Sequence, residues 1–356
     1  MTTQSTPHSP ASAPRSPASQ VPHPTRATLE LVFASSLWGF GFIAVVWALE
    51  AMSPLEITGW RFAIATSLGL IYLKFGRREL WTQVGLAAWP GFLVAGTVML
   101  QTWGLQYTTA TKSGFLTCLY VLIVPLLEAV TGRQKLHMRT LICGAIALMG
   151  VGLMTGLDQA LGWSAPSDQL SPEMRAKMRL NWGDVLTLGC ALAASGHIIA
   201  VGRAVEKVRQ ITGREVDSFR FNVHQSLWAG VPLLALTLPI FGVNVSPLGD
   251  EAHAWPLANA WAAGWKPIGG LIMLAVGSTL IAFALQVRAQ KSLDPSLASL
   301  IFLLESPFAA IFAFWLLGET LGGPQLLGAA LIMGSVAIAS WRVADRSPAP
   351  PGSSHL

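Results

Sequence analysis

The chain has 356 residues, 52% of them apolar and only 12% charged, where a soluble domain carries roughly 25% charged residues. That balance excludes an ordinary water-soluble fold and points to a protein that crosses the membrane repeatedly. The formal charge of +5 is small and spread over many loops, so no nucleic-acid footprint is expected.

Residues 1–26 are rich in Ser, Pro and Thr, lack the apolar core of a signal peptide, and read as a disordered tail. Apolar runs follow, each near the ~20 residues that a helix needs to cross the hydrocarbon core. Helix 1 is expected over Leu31–Leu49, helix 2 over Ile57–Leu73 around a lone Arg61, helix 3 over about Val84–Trp103, helix 4 over Ser113–Gly132 and helix 5 over Thr140–Leu157. The polar connector 158–181 carries Met174 and Met178 among Arg175, Lys177 and Arg179, a composition that fits a short interfacial helix. In the second half helix 6 is expected over Val185–Gly202, helix 7 within Phe221–Phe241 and helix 8 over Pro267–Val287. A hairpin of Pro295–Gly318 and Leu321–Trp341 closes the chain before a disordered tail at 343–356.

The pattern G-A-x-x-x-M-G occurs twice, from Gly144 to Gly150 and from Gly328 to Gly334. Ahead of each copy lies a run with one proline and one glutamate, Pro125 with Glu128 and Pro307 with Glu305. The chain therefore reads as two five-helix repeats, 27–157 and 182–342, and internal duplication in an apolar chain is a signature of secondary transporters. An odd number of spans per repeat inverts the second relative to the first. With the N-terminus in the cytoplasm, Lys74, Arg77, Arg78, Arg133, Lys135, Arg139, Arg203, Lys207, Arg209, Arg214 and Arg220 all fall on cytoplasmic segments. The other side keeps Lys112, the three connector cations and Lys266. The positive-inside rule thus favours two cytoplasmic termini and an inverted repeat.

The fold class expected is all-α, a polytopic membrane protein of ten transmembrane helices. Several side chains within it could carry chemistry. Glu305 lies near the middle of helix 9, where a carboxylate must face the bundle interior, be protonated or pair with a cation, and Arg61 on the opposing repeat is a candidate partner. Arg61 costs about 2.5–3.5 kcal/mol at a helix centre unless paired or snorkelling. Trp38, in mid-span and away from the interfacial belt, is either core packing or cavity wall. His197 could relay protons or simply be a satisfied packing residue. Gln101 and Gln286 could line a cavity or join neighbouring helices, and periodicity does not separate these readings. Gly144, Gly150, Gly328 and Gly334 would permit close helix approach. Cys118, Cys143 and Cys190 lie in apolar runs without C-x-x-C spacing, so neither a disulfide nor a metal is expected.

Trp38-Gly39, Arg61-Phe62, the stretch from Tyr107-Thr108-Thr109-Ala110 to Lys112-Ser113-Gly114-Phe115-Leu116-Thr117, Pro307, Gly318-Glu319 and the glycine pattern from Gly328 together resemble the EamA family of the drug/metabolite transporter superfamily. The resemblance covers about Leu29–Trp341 and implies ten spans in two repeats. It also implies outward transport of amino acids, other small metabolites or drugs, here across a bacterial inner membrane. One departure stands out: the loop that would match Gly318-Glu319 reads Gly132-Arg133-Gln134-Lys135. The partners expected are a small-molecule substrate and the lipid bilayer, with a homodimer compatible, and no cofactor is expected. A membrane-embedded enzyme would need a convergent constellation such as H-E-x-x-H, which the sequence lacks, and a receptor or scaffold would leave the duplication unexplained.

Overall fold

The computed structural model describes residues 24–76, 84–132, 138–154, 172–236, 256–293 and 295–340, and every regular element among them is helical. The first repeat contains α1 (Pro24–Ala48), α2 (Pro54–Phe75), α3 (Ala88–Gly104, behind a 3-10 turn at Val84–Ala87), α4 (Ala110–Thr117), α5 (Tyr120–Val130) and α6 (Met138–Met154). A short α7 (Pro172–Met178) lies in the connector. The second repeat holds α8 (Trp182–Thr212), α9 (Ser218–Leu236), α10 (Pro256–Ala262), α11 (Trp265–Ile272), a π-helix at Met273–Ala282, α12 (Phe283–Ala289), α13 (Pro295–Phe302), α14 (Glu305–Leu317) and α15 (Gly323–Ser340). Local sequence sets several ends. Ser53 and Glu56 form a reciprocal capping box with Pro54 at the first helical position of α2, and Asn181 and Asp184 do the same for α8.

Among the described residues, five helical stretches are long and apolar enough to cross a membrane: Thr25–Ala48, Val84–Gly104, Ala110–Val130, Trp182–Thr212 and Trp265–Ala289. Three expected boundaries are corrected. Helix α1 starts at Pro24, inside the stretch expected to be disordered. Helix α8 continues well past Gly202, because Ala204, Val205 and Val208 pack with Val216, Phe221 and Val287 in a buried cluster. Helix 4, expected from Ser113, starts at Ala110 as α4, so Lys112 lies within it and is 1% exposed. The tails and most of the connector lie outside the described residues.

Packing treats the two repeats as equivalents. Helix α1 meets α14 and the π-helix of the second repeat, and α8 correspondingly meets α4, α5 and α3 of the first. Two further pairs, α2 with α9 and α6 with α15, join each helix to its own counterpart. Both pairs run antiparallel: Gly59 sits against Leu234 while Gly69 sits against Val223, and Gly150 faces Ile332 while Gly328 faces Met154.

A side chain at Gly150 would lie 2.6 Å from the Gly328 carbonyl oxygen, and one at Gly328 would lie 2.6 Å from that of Gly150. The two glycines let the backbones touch, the packing that replaces the hydrophobic effect in lipid. Gly144 and Gly334 do not share that role, since a Cβ at either would meet nothing within 4 Å. The repeated motif thus puts one glycine per copy at the crossing and turns the other away from it. Gly150→Leu or Gly328→Leu should cut the yield of monodisperse protein, with overpacking costing at least about 1–3 kcal/mol. Gly144→Leu and Gly334→Leu should not, as size-exclusion profiles would show.

Two runs expected as single helices are broken. Helix 4 is interrupted at Cys118-Leu119 and helix 9 at Leu303-Leu304. The second break has a local cause: Pro307 has no N–H and its ring opposes the carbonyl four residues back, that of Leu303. The breaks face each other, and side chains meet the freed backbone. Ser306 Oγ donates to the Gly114 carbonyl (2.7 Å) and lies 2.6 Å from Cys118 Sγ, which reaches the Leu303 carbonyl. Irregular backbone at membrane depth persists where protein groups take the place of the missing bonds.

Candidate functional site

A cavity of about 60 Å³ lies between the repeats, and all six side chains singled out from the sequence line it: Trp38, Arg61, Gln101, His197, Gln286 and Glu305. Trp38, Arg61 and His197 sit near the middles of α1, α2 and α8, and Glu305 opens α14 at the helix 9 break, so the cavity is at mid-depth. Tyr120, Phe283 and Phe302 add aromatic walls that the sequence reading had not picked out. The space is small beside the roughly 300–1,000 Å³ of a ligand pocket. A substrate requires the walls to move apart.

The π-helix organises one side of this cavity. Widening a turn loosens the regular backbone ladder, and such segments concentrate at functional sites. Here Trp38 Nε1 donates to the Ser278 carbonyl (3.1 Å), while Asn222 Nδ2 donates to the Thr279 and Leu280 carbonyls (3.0 and 2.9 Å). Arg61, 2% exposed, donates through Nε to Thr279 Oγ1 and through a terminal nitrogen to Ser278 Oγ, both at 2.9 Å. These hydroxyls take the place of the expected carboxylate partner. Among the described residues no ion pair joins Arg61 to Glu305, because the π-helix holds the guanidinium on its own hydroxyls. His197 Nε2 lies 3.2 Å from Gln225 Oε1, and Gln225 donates to Asn222 (2.8 Å), so the imidazole is tied to the same π-helix through two amides. Glu305, 8% exposed, stands apart from this network; Tyr120 places its hydroxyl beside the carboxyl, short of hydrogen-bond geometry.

On each side of the cavity polar contacts bridge the helices, by different means. Toward the chain termini, Gln286 donates to Gln290 (3.2 Å) and Gln290 donates to the Ile198 carbonyl (3.0 Å). Beyond this link a second cavity of about 280 Å³ is lined by Glu128, Gln290 and Lys291. Burial pushes the Lys291 ammonium below its ordinary range, while the carboxylates of Glu215 and Asp217 pull it upward.

The opposite end is bridged by charge. Lys112 Nζ and Asp184 Oδ2 are 2.7 Å apart, with both side chains at 1% exposure or less. The same ammonium donates to the carbonyls of Lys177, Met178 and Arg179, which fastens the connector helix α7 to α4. Asp184 also accepts from Thr108 Oγ1 (3.0 Å) and caps α8. Glu319 adds to the bridging. Gly318, at φ +68°, takes the left-handed turn that favours glycine, and the Glu319 carboxylate then accepts from the Ala110 and Thr111 amides, each at 2.9 Å. A carboxylate from the second repeat thereby caps the N-terminus of α4 in the first.

Lys112 and Asp184 were not among the residues singled out from the sequence. Their signals were a lysine inside a small-residue motif and the N-x-x-D pattern of a helix start. Glu319→Ala should cost about 1–2 kcal/mol, the range for loss of an N-cap acceptor, while Glu319→Gln should lose only the roughly 0.3–1 kcal/mol of the charge–dipole attraction. Thermal unfolding of the detergent-solubilised variants checks the order.

A bundle that is all-helical among the described residues, two corresponding halves and a mid-depth cavity between them define a polytopic membrane protein built around an internal site. Comparison with known proteins makes the class specific. The model of the EamA-like transporter family matches residues 26–156 and again 181–341. The chain belongs to the EamA-like transporter family. An uncharacterized transporter of Archaeoglobus fulgidus is 27% identical over 317 residues, which span 89% of this chain and 86% of that protein. A second uncharacterized transporter of the same organism is 25% identical over 130 residues, 34% of this chain and 44% of that one. A solved crystal structure superposes with a TM-score of 0.58 at 19% identity, covering 91% of this chain and 99% of the other, a likeness of fold alone.

Proposed function

We propose that this membrane transporter is a secondary exporter of a small, amino acid-like or drug-like metabolite, working by alternating access across a bacterial inner membrane. The observation that carries the reading is the convergence of Trp38, Arg61, Gln101, His197, Gln286 and Glu305, drawn from both repeats, on one cavity. In this reading ten spans form two inverted repeats with both termini in the cytoplasm, a topology that the antiparallel pairing of α6 with α15 and the loop charges support. Arg61 offers a fixed cation and Glu305 a carboxyl, while Trp38, Phe283 and Phe302 surround an apolar portion of the cargo. The sequence has no P-loop, so an ion gradient, by default the proton gradient, supplies the drive.

In this reading the Lys112 and Asp184 pair holds shut the side away from the termini. Export then requires the Gln290 bond to the Ile198 carbonyl to part for loading, and the Lys112 and Asp184 side to part for release. Purified protein in proteoliposomes should show saturable flux of a cargo found by comparing culture media of overexpressing and deletion cells. No saturable flux of any such candidate under any imposed gradient would overturn the reading. Sidedness has its own test: in a background lacking Cys118, Cys143 and Cys190, cysteines placed at Pro166 and Gly318 should react with an impermeant thiol reagent from outside. Cysteines at Gly76 and Arg209 should not, and labelling of Gly318 from the cytoplasmic side alone would reject the ten-span inverted topology.

A further inference from the structure

A groove of about 460 Å³ lies between the start of α3, the end of α5 and the second half of α8, on a different face of α8 from the central cavity. It shares Ile199 and Arg203 with the 280 Å³ cavity, where Glu128 and Glu206 also stand. The floor of the groove is one stripe of α8, Gly196, Ile199, Ala200, Arg203, Ala204 and Lys207, spaced at helical period. At 1.5 Å per residue the stripe is about 16 Å long, near half the roughly 30 Å hydrocarbon thickness. Small residues in the middle of the stripe make the hollow.

The groove is on the lipid-facing surface. On α8 it continues the outward row of Val185, Leu188 and Leu192, all exposed, and on α3 it borders the exposed Trp89 and Phe92. Trp89 stands at the start of its helix, where an indole suits the headgroup level. At that same end the apolar floor gives way to two cations. Arg203 has its Nε buried without a hydrogen-bond partner, and its terminal nitrogen makes one long contact, 3.4 Å, to Thr131 Oγ1. Lys207, one turn on, is exposed and belongs to no ion pair within 4.0 Å among the described residues.

We propose that this groove is a binding site for one anionic phospholipid of the leaflet on the side of the termini. The phosphate sits on Arg203 and Lys207 beside the Thr131 hydroxyl, and an acyl chain lies along Gly196, Ile199 and Ala200. Basic pockets between transmembrane helices on the cytoplasmic side recognise anionic headgroups, and each basic residue near the surface adds attraction. The apolar floor distinguishes a lipid from a soluble phosphate, which would gain nothing from it. The proposal rests on the membrane embedding of the chain and stands or falls independently of what the central cavity carries.

The test is retention of lipid by purified protein, read by native mass spectrometry after graded delipidation from micelles containing phosphatidylglycerol and excess phosphatidylcholine. Wild-type protein should keep about one phosphatidylglycerol per chain. Arg203→Gln/Lys207→Gln should lower that retention by about tenfold or more, and Lys207→Gln alone, at an exposed position, should lower it several-fold. Arg209→Gln/Arg214→Gln removes the same charge from exposed positions outside the groove and should leave retention unchanged. Ala200→Trp fills the floor, leaves both cations, and should also release the lipid. Unchanged retention in Arg203→Gln/Lys207→Gln and in Lys207→Gln, or equal loss in Arg209→Gln/Arg214→Gln, overturns the proposal. So does a folded Ala200→Trp protein that still holds the lipid.

Discussion

Glu305→Gln is expected to leave the protein folded and to cut gradient-driven transport by about tenfold or more, or to free it from the pH gradient altogether. Glu305 is the first residue of α14, where the amides of a helix start favour a negative group, and it is almost completely buried. No cation neutralises it: among the described residues it has no ion pair, and the nearby Arg61 is held by Ser278 and Thr279. A carboxyl at mid-depth without a fixed partner can take up and release a proton as the cavity opens to either side, and intramembrane acids are functional by default. Glutamine keeps the shape while removing that exchange. Flux in proteoliposomes at several imposed pH gradients is the measurement. Wild-type flux with a wild-type pH response in a monodisperse Glu305→Gln protein would reduce the residue to a structural one.

The largest loss of stability is expected from Lys112→Met. It strands the buried Asp184 carboxylate and removes the Lys112 bond from the Met178 carbonyl, while Asn181 still donates to those of Lys177 and Arg179. Breaking a buried pair from one side costs about 3–5 kcal/mol, most of it the cost of the uncompensated charge. Lys112→Met/Asp184→Leu removes both charges and should recover a substantial part of that loss, short of the capping and Thr108 bonds that Asp184 also makes. A double-mutant cycle on unfolding in detergent gives the coupling directly. A Lys112→Met protein as stable as wild type would show that the pair closes nothing.

The sequence carried the duplication, the helical class and, through single polar residues in apolar runs, the six side chains that meet at the central cavity. Intramembrane polar groups are costly, so their mere presence at mid-run is informative. What it did not carry was the geometry that depends on partners. Arg61 could be seen to need a partner, but its partners are hydroxyls on a π-helix whose stretch reads as ordinary apolar helix. The interruption at Leu303-Leu304 had Pro307 as a signal, whereas Cys118-Leu119 precedes Pro125 by too far for the same cause. Gly144 and Gly150 carry the same repeat motif, yet only the register of α6 against α15 decides which of them touches a neighbour. Lys112 passed as a loop cation because nothing local shows that Asp184 and the end of α7 would enclose it.

The Glu319 cap has a consequence for the ancestry of the chain. If the two halves descend from one five-helix unit that paired with a copy of itself, each loop once stood where the other half's helix begins. Among the described residues, the second half supplies such a cap to the first. The loop after α5 reads Gly132-Arg133-Gln134-Lys135, and a cation is repelled by a helix start. The helix it would serve, α13, opens on Pro295, which has no amide to offer. Two copies of the first half would therefore leave the Ala110 and Thr111 amides uncapped in both, and two copies of the second would bring carboxylates to helix starts already short of a donor. The halves are complementary parts, and the cap on α4 depends on the two different halves meeting in one fold.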